Sequence, residues 1–201
     1  MGFSAVILAG GKSSRIMGKN KALLRIGGLT IIERQILTLK HIFDEIIIVT
    51  GRPADFKAAG VAQALYEDAV ESRGPISGVY TGLLKMQTEA GFFCACDMPF
   101  LNGELIKTML TQSQHFDIIC PRTGGRYLEP LHAVYRKTCM GPIENLLKNS
   151  GSLKLQDLFP LVKTLFLDVE KIRCKKHYYD FFNVNTWEDY IEAMSIDETL
   201  I

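Results

Sequence analysis

Short unbroken apolar runs alternate along this chain with longer stretches in which apolar residues return every three or four positions. The first run is AVIL, Ala5–Leu8. It is followed by TIIERQILTLKHIF, Thr30–Phe43, whose spacing predicts an amphipathic helix. Thr30 and Glu33 mark the helix start. The threonine oxygen can accept from the third helical N–H while the glutamate accepts from the threonine N–H in return. EIIIVT, Glu45–Thr50, is a continuous β-branched run, the pattern of a strand covered on both faces. A weaker strand is expected near Ala62–Tyr66, then a polar loop and a helix within ISGVYTGLLKM. FFCACD is read as a strand over Phe93–Asp97, followed by a helix at Glu104–Leu110 and a strand, DIIC, at Asp117–Cys120. Strands alternating with helices imply right-handed crossovers and a mostly parallel sheet with helices on both faces.

The last third is less regular. LHAVY, Leu131–Tyr135, reads as a strand after the turn TGGR, so an antiparallel insertion or edge is expected there. Two amphipathic segments and the strand TLFLDV lead to NVNTWEDYIEAM, where Thr186 and Asp189 open a final helix in the same capping manner. There is no internal repeat, low-complexity tract or linker. Residues 1–201 therefore read as one α/β domain, a length that commonly forms a single core.

Composition narrows the function classes. With 47% hydrophobic and 22% charged residues the chain is an ordinary globular protein. A formal net charge of +1 argues against a general nucleic-acid or membrane surface, which would need clustered cations. No apolar run approaches the roughly 20 residues that span a bilayer. The N-terminus lacks the order of a signal peptide, so the cytoplasm is the expected location. The five cysteines (Cys94, Cys96, Cys120, Cys139, Cys174) are unevenly scattered and read as packing residues rather than ligands, and the histidines show no zinc spacing.

Chemistry concentrates where strands end. In an open parallel sheet that edge is where ligands collect. LAGGKSSR, CDMP and NVNT sit at predicted strand ends, and RGPISG leads into a helix. Gly10 and Gly11 could serve only a tight turn, yet Lys12, Arg15, Lys19 and Lys21 follow closely. Exposed backbone N–H groups with several cations make a cradle for polyphosphate. The usual nucleotide loops are absent: there is no GxGxxG, and Lys19 is followed by Asn20 rather than Ser or Thr. Asp97 could cap the next turn, or hold Mg²⁺ together with substrate phosphates. Asp68 is a candidate for metal or ribose and equally a solvated loop acid. Gly74, Pro75 and Gly78 bring backbone to a helix start, and Asn183 and Asn185 alternate to one side of an extended segment.

LAGGKSSR…MG…K, GPISG, CDMPFL and NVNTWEDY, in this order, resemble the molybdenum cofactor guanylyltransferase family, also called molybdopterin-guanine dinucleotide biosynthesis protein A. The match runs from Ala5 to about Tyr190. LAGG rather than LAAG, with GPISG, leans towards the guanylyl branch over the cytidylyl and sugar-phosphate relatives. The resemblance implies a three-layer Rossmann-like nucleotidyltransferase fold, with GTP and the molybdenum cofactor (molybdopterin) as substrates. It also implies that cofactor-delivery proteins or molybdoenzymes could be partners, with no nucleic acid and no membrane involved. By position, Leu8, Ala9 and Gly10 would contact guanine and ribose, while Gly11, Arg15, Gly18 and Lys21 would follow the phosphates. Asp68 falls on a nucleotide-binding acid and Asp97 on the Mg²⁺ ligand. Gly74, Gly78, Asn183 and Asn185 fall on positions characteristic of the family site. Arg15, Lys21 and Asp97 are then the catalytic candidates.

Two departures stand out. The family often reads RMGxDK, whereas here Ile16 intervenes after Arg15 and Asn20 replaces the aspartate. Without that charge beside it, Lys21 is expected to be more mobile in the absence of nucleotide. Trp187 replaces a proline at a first helical turn, which should matter little. The rival readings are a nucleotidyltransferase that uses CTP or acts on a sugar phosphate, and a non-catalytic GTP-binding accessory protein.

Overall fold

The computed structural model describes residues 2–10, 15–16, 18–69, 74–149, 154–172 and 179–200, without the side chains of Arg15, Thr199 and Leu200. Eight of the strands join in one sheet. In chain order they are β1 (Ser4–Leu8), β2 (Glu45–Val49), β3 (Ala64–Tyr66), β4 (Ala90–Ala95), β5 (Ile118–Thr123), β6 (Tyr127–Leu128), β7 (His132–Arg136) and β8 (Thr164–Asp168). The helices are α1 (Ile31–Leu39), α2 (Pro53–Ala58), α3 (Pro75–Lys85), α4 (Gly103–Thr111), α5 (Met140–Asn149) and α6 (Trp187–Leu200).

β1 is central, parallel to β2 on one side and to β4 on the other, and β3 extends the sheet in parallel beyond β2. Beyond β4 the direction reverses. β7 runs antiparallel to β4 and to β5; β5 takes the short β6 along the same edge and β8, in parallel, along the other. The antiparallel insertion expected around Leu131–Tyr135 is therefore present inside a sheet whose other half is parallel.

Alternation along β1 builds two layers of core. Ala5 and Ile7, with Ala9 just beyond, meet Ile32 and Leu39 of α1, Phe56 of α2 and Leu105 to Leu110 of α4. Val6 and Leu8 face the opposite way, towards Ile76, Val79 and Leu83 of α3 and Ile143 of α5. Side chains two apart on a strand share a face, so an unbroken apolar run fills both layers at once. Cys94 and Cys96 pack in the first layer; Cys94, Cys96, Cys120 and Cys139 are buried free thiols, and Cys174 and His177 lie outside the described residues.

A third cluster joins the two ends of the chain. Ile16 and Ile26, carried by two short ribbons (Arg15–Ile16 with Lys19–Asn20, and Arg25–Ile26 with Leu29–Thr30), and Leu24 between the ribbons pack with Ile31, Val184 and Ala193 of α6. The Tyr190 hydroxyl donates to the Arg25 carbonyl at 2.6 Å, and Arg34 of α1 pairs with Asp197 of α6. The additional residue Ile16 is thus accommodated by burial in this cluster.

Most expected elements are present, with shifted ends. α1 begins at the capping box, with Thr30 N–H donating to Glu33 at 2.7 Å and Glu33 N–H donating to Thr30 Oγ1 at 3.3 Å. It stops at Leu39, whose carbonyl accepts from both Ile42 and Phe43, turning the chain towards β2. β4 begins earlier than the expected Phe93 and releases the chain before Asp97. Cys96 N–H still bonds Leu8 O, but Cys96 and Asp97 form a turn. α2 and the ribbons have no counterpart in the sequence reading, being too short for any periodicity.

One glycine sets how closely α3 approaches the sheet. A Cβ at Gly82 would lie 2.5 Å from Phe93 Cε1 and 2.8 Å from Val6 Cγ1. Gly82→Ala should cost about 1–3 kcal/mol, the usual scale of overpacking, measured as a lowered denaturation midpoint. An unchanged midpoint would show that α3 can back away freely.

Candidate active site

The carboxyl ends of β1, β2, β3 and β4 converge on one edge of the sheet. β1 continues into Ala9, whose N–H donates to Val49 O at 2.8 Å and whose carbonyl accepts the Thr50 hydroxyl at 3.1 Å. Gly10 follows, exposed at the mouth. A Cβ there would meet only Asp68 Oδ2, at 3.9 Å. A Cβ at Gly78, in the first turns of α3, would lie 3.2 Å from Leu8 Cδ2 and 3.9 Å from Asp68 Oδ1. Leu8, Gly10, Asp68 and Gly78 are therefore one constellation. Asp68 is no freely solvated loop acid. Its Oδ1 is buried without a hydrogen-bond partner, and burial raises its carboxyl above the ordinary range, with Thr81 opposing. Gly74 caps α3 with φ of 87°, a left-handed value that a side chain would strain, and Pro75 takes the first helical position.

The second constellation surrounds Asp97. Lys21 is 3% exposed; its Nζ donates to Asn185 Oδ1 at 2.8 Å and lies 3.7 Å from Asp97 Oδ2. Asp97 Oδ1 is buried with no partner, and the Asp97 carbonyl accepts from Val184 N–H at 2.9 Å. Burial raises the Asp97 carboxyl, with the Lys21 charge pulling it back down. The sequence-distant NVNT segment reaches this point because Val184 sits in the third core cluster. Thr186 and Asp189 cap the start of α6 as expected, Thr186 N–H donating at 2.8 Å and Asp189 N–H returning at 3.1 Å.

Not every candidate joins these groups. The Asn183 amide donates to its neighbour Phe181 O at 2.8 Å, so of the two asparagines it is Asn185 that meets Lys21. Gly18 turns the first ribbon with φ of 79° and has open space around it. Gly11, Lys12 and the side chain of Arg15 lie outside what is described, and the Arg15 backbone pairs with Asn20.

The expectation that residue 20 governs Lys21 is corrected. Asn20 Oδ1 accepts from Ala22 N–H at 3.2 Å and its amide donates to Asp55 at 3.3 Å, so it ties the ribbon to α2. Lys21 is held instead by Asn185 and Asp97 and is buried. The physical reason is position: Asn20 caps the short 3-10 turn Lys21–Leu23, which turns its side chain to the backbone of Ala22, while Asn185 reaches the Lys21 ammonium from 164 residues away.

Two contributors escaped the sequence reading. Gln35 is buried on α1 and its amide donates to Ala95 O at 2.7 Å and Met98 O at 3.0 Å, clamping the turn that carries Asp97. Its signal was a polar residue on the apolar face of that helix. Arg52, just beyond β2, is half-buried, and its Nη1 is enclosed with no acceptor.

The orphaned Asp97 oxygen is what a divalent cation would need. Among the described residues no three His, Cys, Asp or Glu side chains are grouped to enclose a metal. A cation here would therefore complete its shell with phosphates and water, the habit of Mg²⁺.

A family profile, the MobA-like NTP transferase domain, matches residues 5–162. A Pelotomaculum thermopropionicum protein named "probable molybdenum cofactor guanylyltransferase" is 37% identical over 196 residues, covering 97% of this chain and 93% of that one. A Clostridium perfringens protein of the same name is 35% identical over 198 residues, covering 97% and 98%. Among solved structures, molybdopterin-guanine dinucleotide biosynthesis protein A from Archaeoglobus fulgidus has a TM-score of 0.83 at 23% identity, over 98% of this chain and 100% of that one. CMP:2-keto-3-deoxy-manno-octonic acid synthetase, solved with CTP, has a TM-score of 0.72 at 13% identity, a likeness of fold alone. The three-layer sheet is thus the Rossmann-like fold of nucleotidyltransferases.

Proposed function

The chain belongs to the MobA-like NTP transferase family, and from that membership we propose that it transfers GMP from GTP to the molybdenum cofactor, yielding molybdopterin guanine dinucleotide and pyrophosphate. The observation that supports this most is a buried lysine, 3.7 Å from a strand-end aspartate whose other oxygen is enclosed and unpartnered, beside a glycine mouth.

The terminal phosphate of molybdopterin is already an anion and can attack the α-phosphorus without losing a proton. The protein must therefore align two phosphates and offset their charge, the main contributions in phosphoryl transfer. Gly10 leaves room for the nucleotide to lie against backbone, with Ala9 and Leu8 beneath and Asp68 and Gly78 walling one side. Lys21, fixed by Asn185, presents its ammonium to the phosphates without having to be ordered first. Arg15 and Gly11 are assigned to the departing pyrophosphate, and Gly18, Gly74 and Asn183 to shaping the loops around it. Asp97 would hold the cation, Mg²⁺ in this reading, which when bound supplies charge neutralisation across the phosphates.

The donor is tested by pyrophosphate release from GTP, CTP and ATP with purified molybdopterin and Mg²⁺. Release with GTP alone is expected; a preference for CTP would overturn the guanylyl assignment, and none with any nucleotide would favour an accessory binding protein. Residues 1–201 are proposed to act as one domain in the cytoplasm, delivering product to cofactor carriers or molybdoenzymes. Among the described residues no helix is long and apolar enough to cross a membrane.

A further inference from the structure

β2 delivers a cation to the nucleotide edge that none of the roles above employs. Thr50 sits between the ends of β1 and β3: its hydroxyl donates to Ala9 O at 3.1 Å and its N–H donates to Tyr66 O at 2.8 Å. Two residues beyond Thr50 stands Arg52, and two residues beyond Tyr66 stands Asp68. Arg52 is itself fixed by this trio, because its N–H donates to Thr50 Oγ1 at 3.1 Å. Immediately after it α2 begins, and Asp55 of that helix receives the Asn20 amide. The backbone of Arg52 is thus pinned from both sides.

Its side chain is not satisfied. Arg52 Nη1 is buried with no acceptor, and no carboxylate among the described residues forms an ion pair with the guanidinium. An enclosed donor without an acceptor is costly, and such a group persists where something else supplies the acceptor.

The layout of the edge decides what that acceptor is. Asp97 and Lys21 mark the β4 side of β1, where the phosphates must lie. Arg52 and Asp68 mark the β2 and β3 side. Asp68 faces Gly10 and Gly78 with Oδ1 enclosed and unpartnered, and an acceptor-only carboxylate so placed suits the N–H and O–H donors of a nucleoside rather than a polyphosphate. Arg52 therefore shares the nucleoside side, where the available acceptors belong to the base. Guanine offers O6 and N7 in a fork that matches a guanidinium. Adenine and cytosine each present an amino donor at the corresponding position. We infer that Arg52 reads the O6/N7 edge of the guanine base and selects GTP over ATP and CTP. This rests on GTP being the donor nucleotide.

The test is calorimetric titration in Mg²⁺ of the whole protein with GTP, 7-deaza-GTP, ATP and CTP. Wild-type protein should bind 7-deaza-GTP roughly tenfold more weakly than GTP, because one bond of the fork is lost. Arg52→Ala should lower GTP affinity roughly ten- to hundredfold, leave ATP and CTP affinity unchanged, and abolish the 7-deaza penalty. Arg52→Lys should lower GTP affinity by an intermediate amount, since a point charge cannot match both acceptors. Equal wild-type affinity for GTP and 7-deaza-GTP overturns the inference without any variant having to fold. A loss shared equally by all three natural nucleotides in Arg52→Ala also overturns it, in favour of a phosphate contact. Wild-type preference for CTP would overturn the GTP reading itself, whereas GTP preference without a 7-deaza penalty overturns the role of Arg52 alone.

Discussion

Asp97→Asn should lower guanylyl transfer by about a hundredfold or more while the protein stays folded, the scale of losing a preorganised charge stabiliser. The amide keeps the shape and one acceptor but cannot bind a cation as a carboxylate does. The backbone around it is secured by other groups, since Gln35 holds the carbonyls of Ala95 and Met98 and Val184 bonds the Asp97 carbonyl. Thermodynamic linkage also limits the damage. Burial raises the Asp97 carboxyl, so its ionised form costs folding free energy above that raised pKa, a cost that fades as the pH falls from there to the ordinary carboxylate range. Removing the charge relieves this cost at neutral pH but also takes the counter-charge from buried Lys21, which keeps its bond to Asn185 and an amide oxygen in place of the carboxylate. Pyrophosphate release and a thermal melt check both halves. Near-normal turnover at saturating Mg²⁺ would sink the assignment, and an unfolded variant would show that Asp97 serves packing.

How much of this was written in the sequence follows from the range over which each interaction acts. Local signals were readable: the Thr30–Glu33 capping box, the apolar runs of β1 and β2, and the Thr186–Asp189 cap all depend on residues within four positions of one another. The strand-end rule points to the edge where Gly10, Asp68, Gly78 and Asp97 come to lie. Partnerships across the chain were not readable. Nothing near Lys21 announces Asn185, because the third core cluster that joins them is assembled from ribbons two residues long and a C-terminal helix. The end of β4 is illegible for the same reason: the apolar pattern continues through Cys96, while the turn that follows is held by a glutamine from another element. Asn20 looked like a missing partner for Lys21 because adjacency in sequence was taken for adjacency in space.

That distinction separates two substitutions one residue apart. Lys21→Met should reduce turnover by about a hundredfold or more, whereas Asn20→Asp should change GTP affinity by less than about tenfold. Lys21 is buried against Asp97, so its loss removes a cation aimed at the phosphates and strands a desolvated carboxylate. With that charge gone the Asp97 carboxyl rises further, because Lys21 is what pulls it down in the wild type. In chelator, where no cation competes for Asp97, its ionised form in Lys21→Met is uncompensated above its folded pKa. The stability deficit of this variant should be largest above that pKa and shrink as the solution is acidified, since protonation removes the unpaired charge. Asn20→Asp acts elsewhere. It keeps the acceptor for Ala22 N–H but replaces an amide donor to Asp55 with a second carboxylate. At a half-buried surface site the lost bond and the added repulsion should each cost about 1 kcal/mol or less, felt mainly as looser docking of the ribbon on α2. A stability deficit in Lys21→Met that does not shrink on acidification in chelator would separate Lys21 from Asp97. Equal losses of GTP affinity for the two substitutions would instead place position 20 in contact with the nucleotide.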